Sequence, residues 1–262
     1  VQIFYMKKSS LKVLLVILAI VVLAVICYAL FMPDHEPTLA EPIYQGDDSE
    51  KKVALAINVD WGEDIIPGML AILEEKEAKA TFFVTGRFAE KYPDTVRLIS
   101  EKGQEIENHG YAHPHPDELS KEENSADILK AEEILEKLKG SEMKFFAPPY
   151  GEHGESVLQA AEENGYRVIM WTLDTIDWRD NDPAVLIERA SGEKAVNGAI
   201  ILMHPKSYTL EALPEIIDNL RSKGYTLVSM LEMLPVESLN VCLLAQHFYF
   251  YRNMHMRLSL RR

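Results

Sequence analysis

Cysteine is nearly missing from this chain. Only Cys27 and Cys242 occur in 262 residues, and the stretch from Lys51 to Pro235 has none. A disulfide framework and a zinc-thiolate centre are therefore excluded for that stretch. Basic charge is also short: 27 Lys and Arg stand against 41 Asp and Glu, for a formal net charge of −14. A nucleic-acid binder, which needs a basic face, does not fit that balance. The chain also lacks a glycine-rich phosphate loop.

Long apolar runs are lacking with one exception. Val13 to Met32 holds 20 residues without a charge, enough at about 1.5 Å per residue to cross a hydrocarbon core roughly 30 Å thick. Lys7, Lys8 and Lys12 precede the run, and Asp34, Glu36 and Glu41 follow it. That asymmetry predicts residues 1–12 in the cytoplasm and everything after Pro33 outside. The run is longer than a secretory h-region and has no good small-x-small cleavage site, so an uncleaved single-pass anchor in the cell membrane is expected. Residues 33–50 carry Pro33, Pro37 and Pro42 among many acids and read as an extended extracellular tether. Residues 51–235 have the length of one domain. Residues 236–262 turn rich in aromatics, Met and Arg with little periodicity, and read as an atypical tail.

Within residues 51–235, short apolar runs alternate with helical periodicity. Strands are predicted at Lys52–Val59, Ala80–Thr85, Gln104–Glu107, Lys144–Phe146, Arg167–Leu173, Gly198–Met203 and Tyr225–Val228. Asp64 is a plausible N-cap for a helix whose face carries Ile66, Met69, Leu70 and Leu73. A second helix is expected from Phe88 to Lys102. Ser120 opens a third with a capping box to Glu123, and Gly140 closes it. Glycine ends a helix before a strand at Gly103, Gly165 and Gly224. This alternation predicts a parallel α/β architecture, an open sheet or a barrel, with sites at the C-terminal ends of the strands.

Four clusters follow strand-like runs directly. In the first, His109 and His113 are four residues apart, a spacing at which one loop delivers both imidazoles to a single ion. Gly110 and Pro114 disfavour a helix there, so the segment is placed as a loop. Neutral imidazole suits zinc and its neighbours, and a catalytic site needs a third protein ligand. Asp60, at the end of the first strand, leads that search, ahead of Glu63 and Asp64. The second cluster is Ala147-Pro148-Pro149-Tyr150-Gly151. Its prolines fix φ and remove donors, so the next free backbone N–H is that of Tyr150, suited to hold an oxyanion. In the third, Trp178 after Asp177 reads either as a sugar-facing wall or as core. The fourth ends on His204, after the apolar run that includes Leu202, and a histidine there suits a general acid.

As an ordered set, these residues resemble the polysaccharide deacetylase family, also called NodB-like or carbohydrate esterase family four, over about Lys51 to Leu234. The resemblance implies a distorted (β/α) barrel of seven or eight strands that removes N-acetyl groups from amino sugars with a divalent metal, expected to be zinc. It implies that His109 and His113 are metal ligands and that the Tyr150 amide, beside Pro149, holds the oxyanion. It further casts His204 as acid, with Leu202 and Trp178 lining an acetyl pocket. The expected substrate is the N-acetylated glycan of the cell wall.

The chain departs from the family pattern in three places. The family's first motif, Thr-Phe-Asp-Asp-Gly, supplies a base and a ligand from adjacent aspartates. Here the run is Asn58-Val59-Asp60-Trp61-Gly62. Alignment on the glycine puts Asp60 in the base position and Trp61 in the ligand position; alignment on the strand start puts Asn58 and Val59 there. Ala147 stands where the family has an arginine, so the Arg–Asp pair that orients the base is expected to be absent and Asp177 to lack its expected partner, that arginine. Gly110 replaces a serine or threonine. The Trp-Gly form of the first motif resembles a membrane-anchored branch from spore-forming Gram-positive bacteria. Two readings follow: a metal-dependent deacetylase, or a catalytically impaired, membrane-anchored glycan-binding protein of the same fold.

Overall fold

A computed structural model of the chain describes residues 41–234, together with Ile17, an exposed helical residue. The expected anchor at 13–32, Ile17 apart, and the tail at 236–262 lie outside the described residues. Among the described residues no helix is long and apolar enough to cross a membrane.

The first strand, β1 (Lys52–Val59), is buried from Val53 onward on both faces, as expected for a parallel strand covered on each side. Its alternation sorts two cores. Val53, Leu55, Ile57 and Val59 pack outward among the helices, while Ala54 and Ala56 face inward with Phe83, Phe145, Ala147, Ile169 and Ile200. Small residues on β1 leave room for the inward phenylalanines.

The chain then runs through α1 (Ile66–Glu75), β2 (Thr81–Val84), α2 (Gly86–Lys91), α3 (Pro93–Glu101) and β3 (Glu105–Asn108). After β3 come α4 (Lys121–Lys139), β4 (Phe145–Phe146), α5 (Glu155–Glu163), β5 (Arg167–Val168) and β6 (Leu173–Asp174). The last elements are α6 (Pro183–Ser191), β7 (Ala199–Met203), α7 (Ser207–Ser222), β8 (Thr226–Val228) and α8 (Met230–Met233). The eight strands form one sheet in the order β5-β4-β3-β2-β1-β7-β6, with β8 added against β1, and all these pairings are parallel. The result is a curled half-barrel of parallel strands with helices outside.

Several local expectations change. The helix predicted over 88–102 is two helices, because Pro93 cannot donate to the preceding turn and instead opens α3 at its first position. The strand predicted over 167–173 divides into β5 and β6. In the gap, Ile43 bridges Ile169 in parallel, and Gln45 pairs antiparallel with Ala199. The Ile43 N–H donates to Val168 O at 2.9 Å, and its carbonyl accepts from Met170 N at 2.8 Å. The last residues of the expected tether are therefore part of the barrel wall. Asp64 does not cap α1: Ile65 holds that place, with no side-chain cap bond. The capping box at Ser120 and the left-handed Gly140 are both present.

Glu107 fills a second gap in the wall. β3 and β4 pair only at Asn108 and Phe146, and below that point the Glu107 carboxylate accepts Lys144 N at 2.8 Å and Phe145 N at 2.7 Å. The side chain thus does the work of a missing ladder carbonyl. It is fully buried, with Lys139 Nζ 3.5 Å away, and burial pushes its pKa from 4.5 up to about 7. An acid whose folded pKa is raised binds more protons in the folded than in the unfolded state, so stability falls as pH rises from about 4.5 through 7. Urea unfolding between pH 5 and 8 is expected to show this fall in the parent chain and a flatter profile in Glu107→Gln. Parallel profiles for the two would remove Glu107 as its source.

Candidate active site

The ladder fixes the rim of the barrel. Val59 pairs with Val84, and Val84 with Asn108. The next amides continue the pattern: Thr85 N donates to Val59 O, His109 N to Val84 O and Ala147 N to Asn108 O. Asp60, Thr85, His109 and Ala147 consequently form one row at the C-terminal ends of four adjacent strands. Alternation makes all four inward-facing, since they continue the inward series of Ala56, Phe83 and Phe145.

His109 is 2 % exposed. Its Nδ1 lies 2.6 Å from Ala147 O, and because that oxygen only accepts, Nδ1 carries the proton and Nε2 keeps its lone pair. Burial lowers its pKa to about 3, so the ring is neutral, the form that binds metal. Burial also lowers the pKa of His113, with Asp60 opposing. The two rings meet edge-on with centroids 5.1 Å apart. Their loop is anchored by Asp127 of α4, which accepts Tyr111 N at 2.8 Å and Ala112 N at 3.0 Å. A Cβ on Gly110 would lie 2.5 Å from Asp127 Oδ2, which accounts for glycine where the family carries a hydroxyl residue.

Asp60 is not left without an arginine. Arg87, from the first turn of α2, donates Nε to Oδ1 at 2.6 Å and Nη2 to Oδ2, while Thr85 Oγ1 donates to Oδ1 at 2.9 Å. Burial works to raise the Asp60 pKa, but the Arg87 and Thr85 hydrogen bonds outweigh it and the net shift is downward. Asp177 is held by His204 and Thr209 in place of the expected arginine. It is fully buried and accepts His204 N at 2.6 Å, His204 Nδ1 at 2.7 Å and Thr209 Oγ1 at 2.7 Å. The Arg87 pairing corrects the expectation, drawn from Ala147, that no arginine orients the base, while the partner of Asp177 is His204 and not an arginine. His204 is oriented by a carboxylate in the manner of a positioned acid.

Trp61 stacks on His204 (5.7 Å between centroids, 10° between planes) and meets His113 edge-on at 6.5 Å. Its Nε1 is buried with no hydrogen-bond partner. Gly62 follows at φ 91°, where a Cβ would lie 2.6 Å from Pro205 O; the first-motif turn therefore packs directly on the His204-Pro205 turn. Val59 is wholly in the core, so the glycine-anchored alignment describes this site. The indole lies against the His113 and His204 imidazoles.

Whether these residues suit a divalent ion follows from the donors. Asp60 has both oxygens committed to Arg87 and Thr85, and Trp61 offers only a donor N–H. Among the described residues no group of three His, Cys, Asp or Glu side chains is placed to hold a metal ion. The expected set of His109, His113 and Asp60 is not assembled. His109 and His113 remain as a pair, one ligand short of the usual catalytic site.

Of the remaining predicted residues, Tyr150 is exposed and sits at φ 59° between Pro149 and Gly151. His115 stacks on it at 4.0 Å and also pairs with Glu152. Among the described residues, three of the four non-glycine residues with positive φ border the site: His113, Tyr150 and Ile176, the neighbour of Asp177. Such backbone conformations cost about 1–3 kcal/mol each and cluster at functional positions. Leu202 is buried inside the barrel and Pro149 under the rim, whereas Trp178 is 55 % exposed, a surface wall rather than core. Asp60, Trp61, Arg87 and Tyr92 line a cavity of about 400 Å³ beside the rim. Sequence reasoning missed Arg87, Thr85, Asp127 and the partner role of Asp177. The one available signal for the first two was that Thr85-Gly86-Arg87 follows a strand directly.

Residues 45–169 match the family profile described as polysaccharide deacetylase. The chain is 39% identical over 194 residues to the Bacillus subtilis protein YlxY, covering 74% of this chain and 60% of that one. It is 35% identical to a Bacillus cereus peptidoglycan-N-acetylglucosamine deacetylase over 189 residues, 70% of this chain and 68% of the relative. Among solved structures, a CE4 family pseudoenzyme from Bacillus anthracis superposes with a TM-score of 0.72 at 38% identity, covering 75% of this chain and 69% of that one. A mutant of that pseudoenzyme is described as having restored enzymatic activity.

Proposed function

Because the chain belongs to the polysaccharide deacetylase family, we propose that it engages N-acetylated cell-wall glycan through a deacetylase-shaped cleft in which hydrolysis is impaired at the metal centre. The observation that carries this reading is Trp61, whose indole rests against His113 and His204 where a second carboxylate would complete the ligands. A glycan surface remains: Tyr150 and Trp178 are exposed aromatics on the same rim, suited to sugar faces. The similarity to a CE4 family pseudoenzyme supports the same reading. In the cell, we take residues 13–32 as a single-pass anchor in a Gram-positive membrane, with the cleft outside and facing the wall.

Intact acid and base arms support a second reading, a working metal-dependent deacetylase that uses zinc. His204 is held by Asp177 and Asp60 by Arg87, an arrangement that suits proton transfer on both sides of an acetamide. Purified chain incubated with peptidoglycan and acetylated chito-oligosaccharides separates the two. The proposed outcome is glycan binding with less than one bound metal per chain and no acetate above a His109→Ala control. Stoichiometric zinc together with His109-dependent acetate release would replace it with the hydrolytic reading.

A further inference from the structure

We infer that Tyr44 and His153 are positioning residues for the rim, a pair through which the strap of residues 43–45 holds the strained Tyr150 turn. The inference rests on the reading of Tyr150 as an aromatic that meets glycan. It makes the end of the expected tether a working part of that surface.

Tyr150 and Gly151 both take positive φ, 59° and 70°, and such a turn persists only where its surroundings fix it. Its own backbone bonds are long: Gly151 N donates to Pro148 O at 3.1 Å and Glu152 N to Pro149 O at 3.2 Å. The short bond comes from a side chain. His153 Nδ1 lies 2.6 Å from Gly151 O, and because a carbonyl only accepts, Nδ1 carries the proton and Nε2 is left as an acceptor. The Tyr44 hydroxyl, 2.9 Å away, donates to that nitrogen. It thereby selects the tautomer that ties down the turn.

Tyr44 is itself fixed. Its carbonyl accepts Thr172 Oγ1 at 2.6 Å, and that hydroxyl oxygen accepts Ile200 N at 3.1 Å. Ile43 and Gln45 on either side pair with the wall. The strap bonds Met170 and Thr172, and the residue between them, Trp171, lies against the turn: a Cβ on Gly151 would be 2.5 Å from Trp171 Cη2. Tyr150 is thus set from two directions by one strap, with its ring stacked on His115 and edge-on to His113. The Tyr44 side chain is exposed, and surface groups of this kind contribute little to stability. The effect of losing its hydroxyl therefore falls on the turn rather than on the fold.

The test compares the full chain with Tyr44→Phe, His153→Phe, the double variant and Gln45→Ala. The last removes a strap bond, to Asn197 O at 2.7 Å, that does not reach the turn. Two readouts are taken: calorimetric binding of acetylated chitotetraose, and the NMR shifts of the His115 ring protons, which the stacked Tyr150 ring displaces. Expected are a loss of affinity of about threefold to tenfold in Tyr44→Phe, a similar loss in His153→Phe, and no further loss in the double variant. The His115 shifts should move in the same variants toward their values in Tyr150→Ala, and Gln45→Ala should match the parent in both readouts. His115 shifts that stay at the parent values in Tyr44→Phe overturn the inference, as do an equal response in Gln45→Ala and losses that add in the double variant. If His153→Phe does not fold, Tyr44→Phe against Gln45→Ala decides alone. If the His115 shifts respond as expected but the parent binds no chitotetraose, the positioning role stands and the glycan reading of Tyr150 fails.

Discussion

Trp61→Asp is expected to raise zinc affinity by about 100-fold, the upper end of what even an outer-shell partner changes at a metal site, and to bring acetate release with it. The substitution puts a carboxylate where the indole now touches His113 and His204 and supplies the missing third protein ligand. It also removes the stack on His204, which opens the face of that ring to substrate. Asp60 keeps Arg87 in this variant, so the gain in affinity should persist when Asp60→Asn is added, while acetate release is lost. That separates a ligand from a base. Zinc calorimetry and acetate assay on the variant and on Trp61→Asp/His109→Ala check both halves. A folded Trp61→Asp that binds no more zinc than the parent would show that the rim cannot close on an ion at all.

Asp177→Ala should be the most destabilising single change at the site. The carboxylate is wholly buried and accepts three hydrogen bonds, from the His204 amide, the His204 ring and the Thr209 hydroxyl. Breaking a buried ionic network by deleting one partner costs about 3–5 kcal/mol, because the partners stay behind unsatisfied. For a domain of this size that corresponds to a fall in Tm of about 6–20 °C. Asp177→Asn retains an acceptor and should fall by less. Thermal unfolding followed by circular dichroism measures both, and a shift of under 2 °C in Asp177→Ala would contradict the network described.

The strands were legible because each is a short apolar run ended by turn chemistry, and because parallel strands are buried on both faces. A parallel sheet with its site at the C-terminal strand ends followed from that pattern, and the choice of a barrel over an open sheet came from the family resemblance. Legibility stopped at side-chain pairing. Arg87 meets Asp60, and His204 meets Asp177, each across 27 residues, and nothing in a local window announces such a partner. The sequence reading tied the orienting arginine to position 147 and, finding Ala147, expected no pair. In the folded chain the same electrostatic task is done from the neighbouring strand exit at Thr85-Gly86-Arg87. The histidine pair was readable from spacing, but what fills the space around it was not, because nothing in a local window sets the indole at position 61 beside two imidazoles.

The pairing of Ile43 with Ile169 and of Gln45 with Ala199 bears on the order of folding. These residues leave the ribosome before β1, yet their partners lie more than a hundred residues downstream. The chain must hold its leading segment unpaired until most of the domain has been synthesised, and only then can it seal the gap between β5 and β7. Pairings of such long sequence separation carry a high loop-closure cost and form slowly, as do those of β1 with β7 and β8. Until this seam is sealed, the inner apolar layer beside it stays open to water and to neighbouring chains.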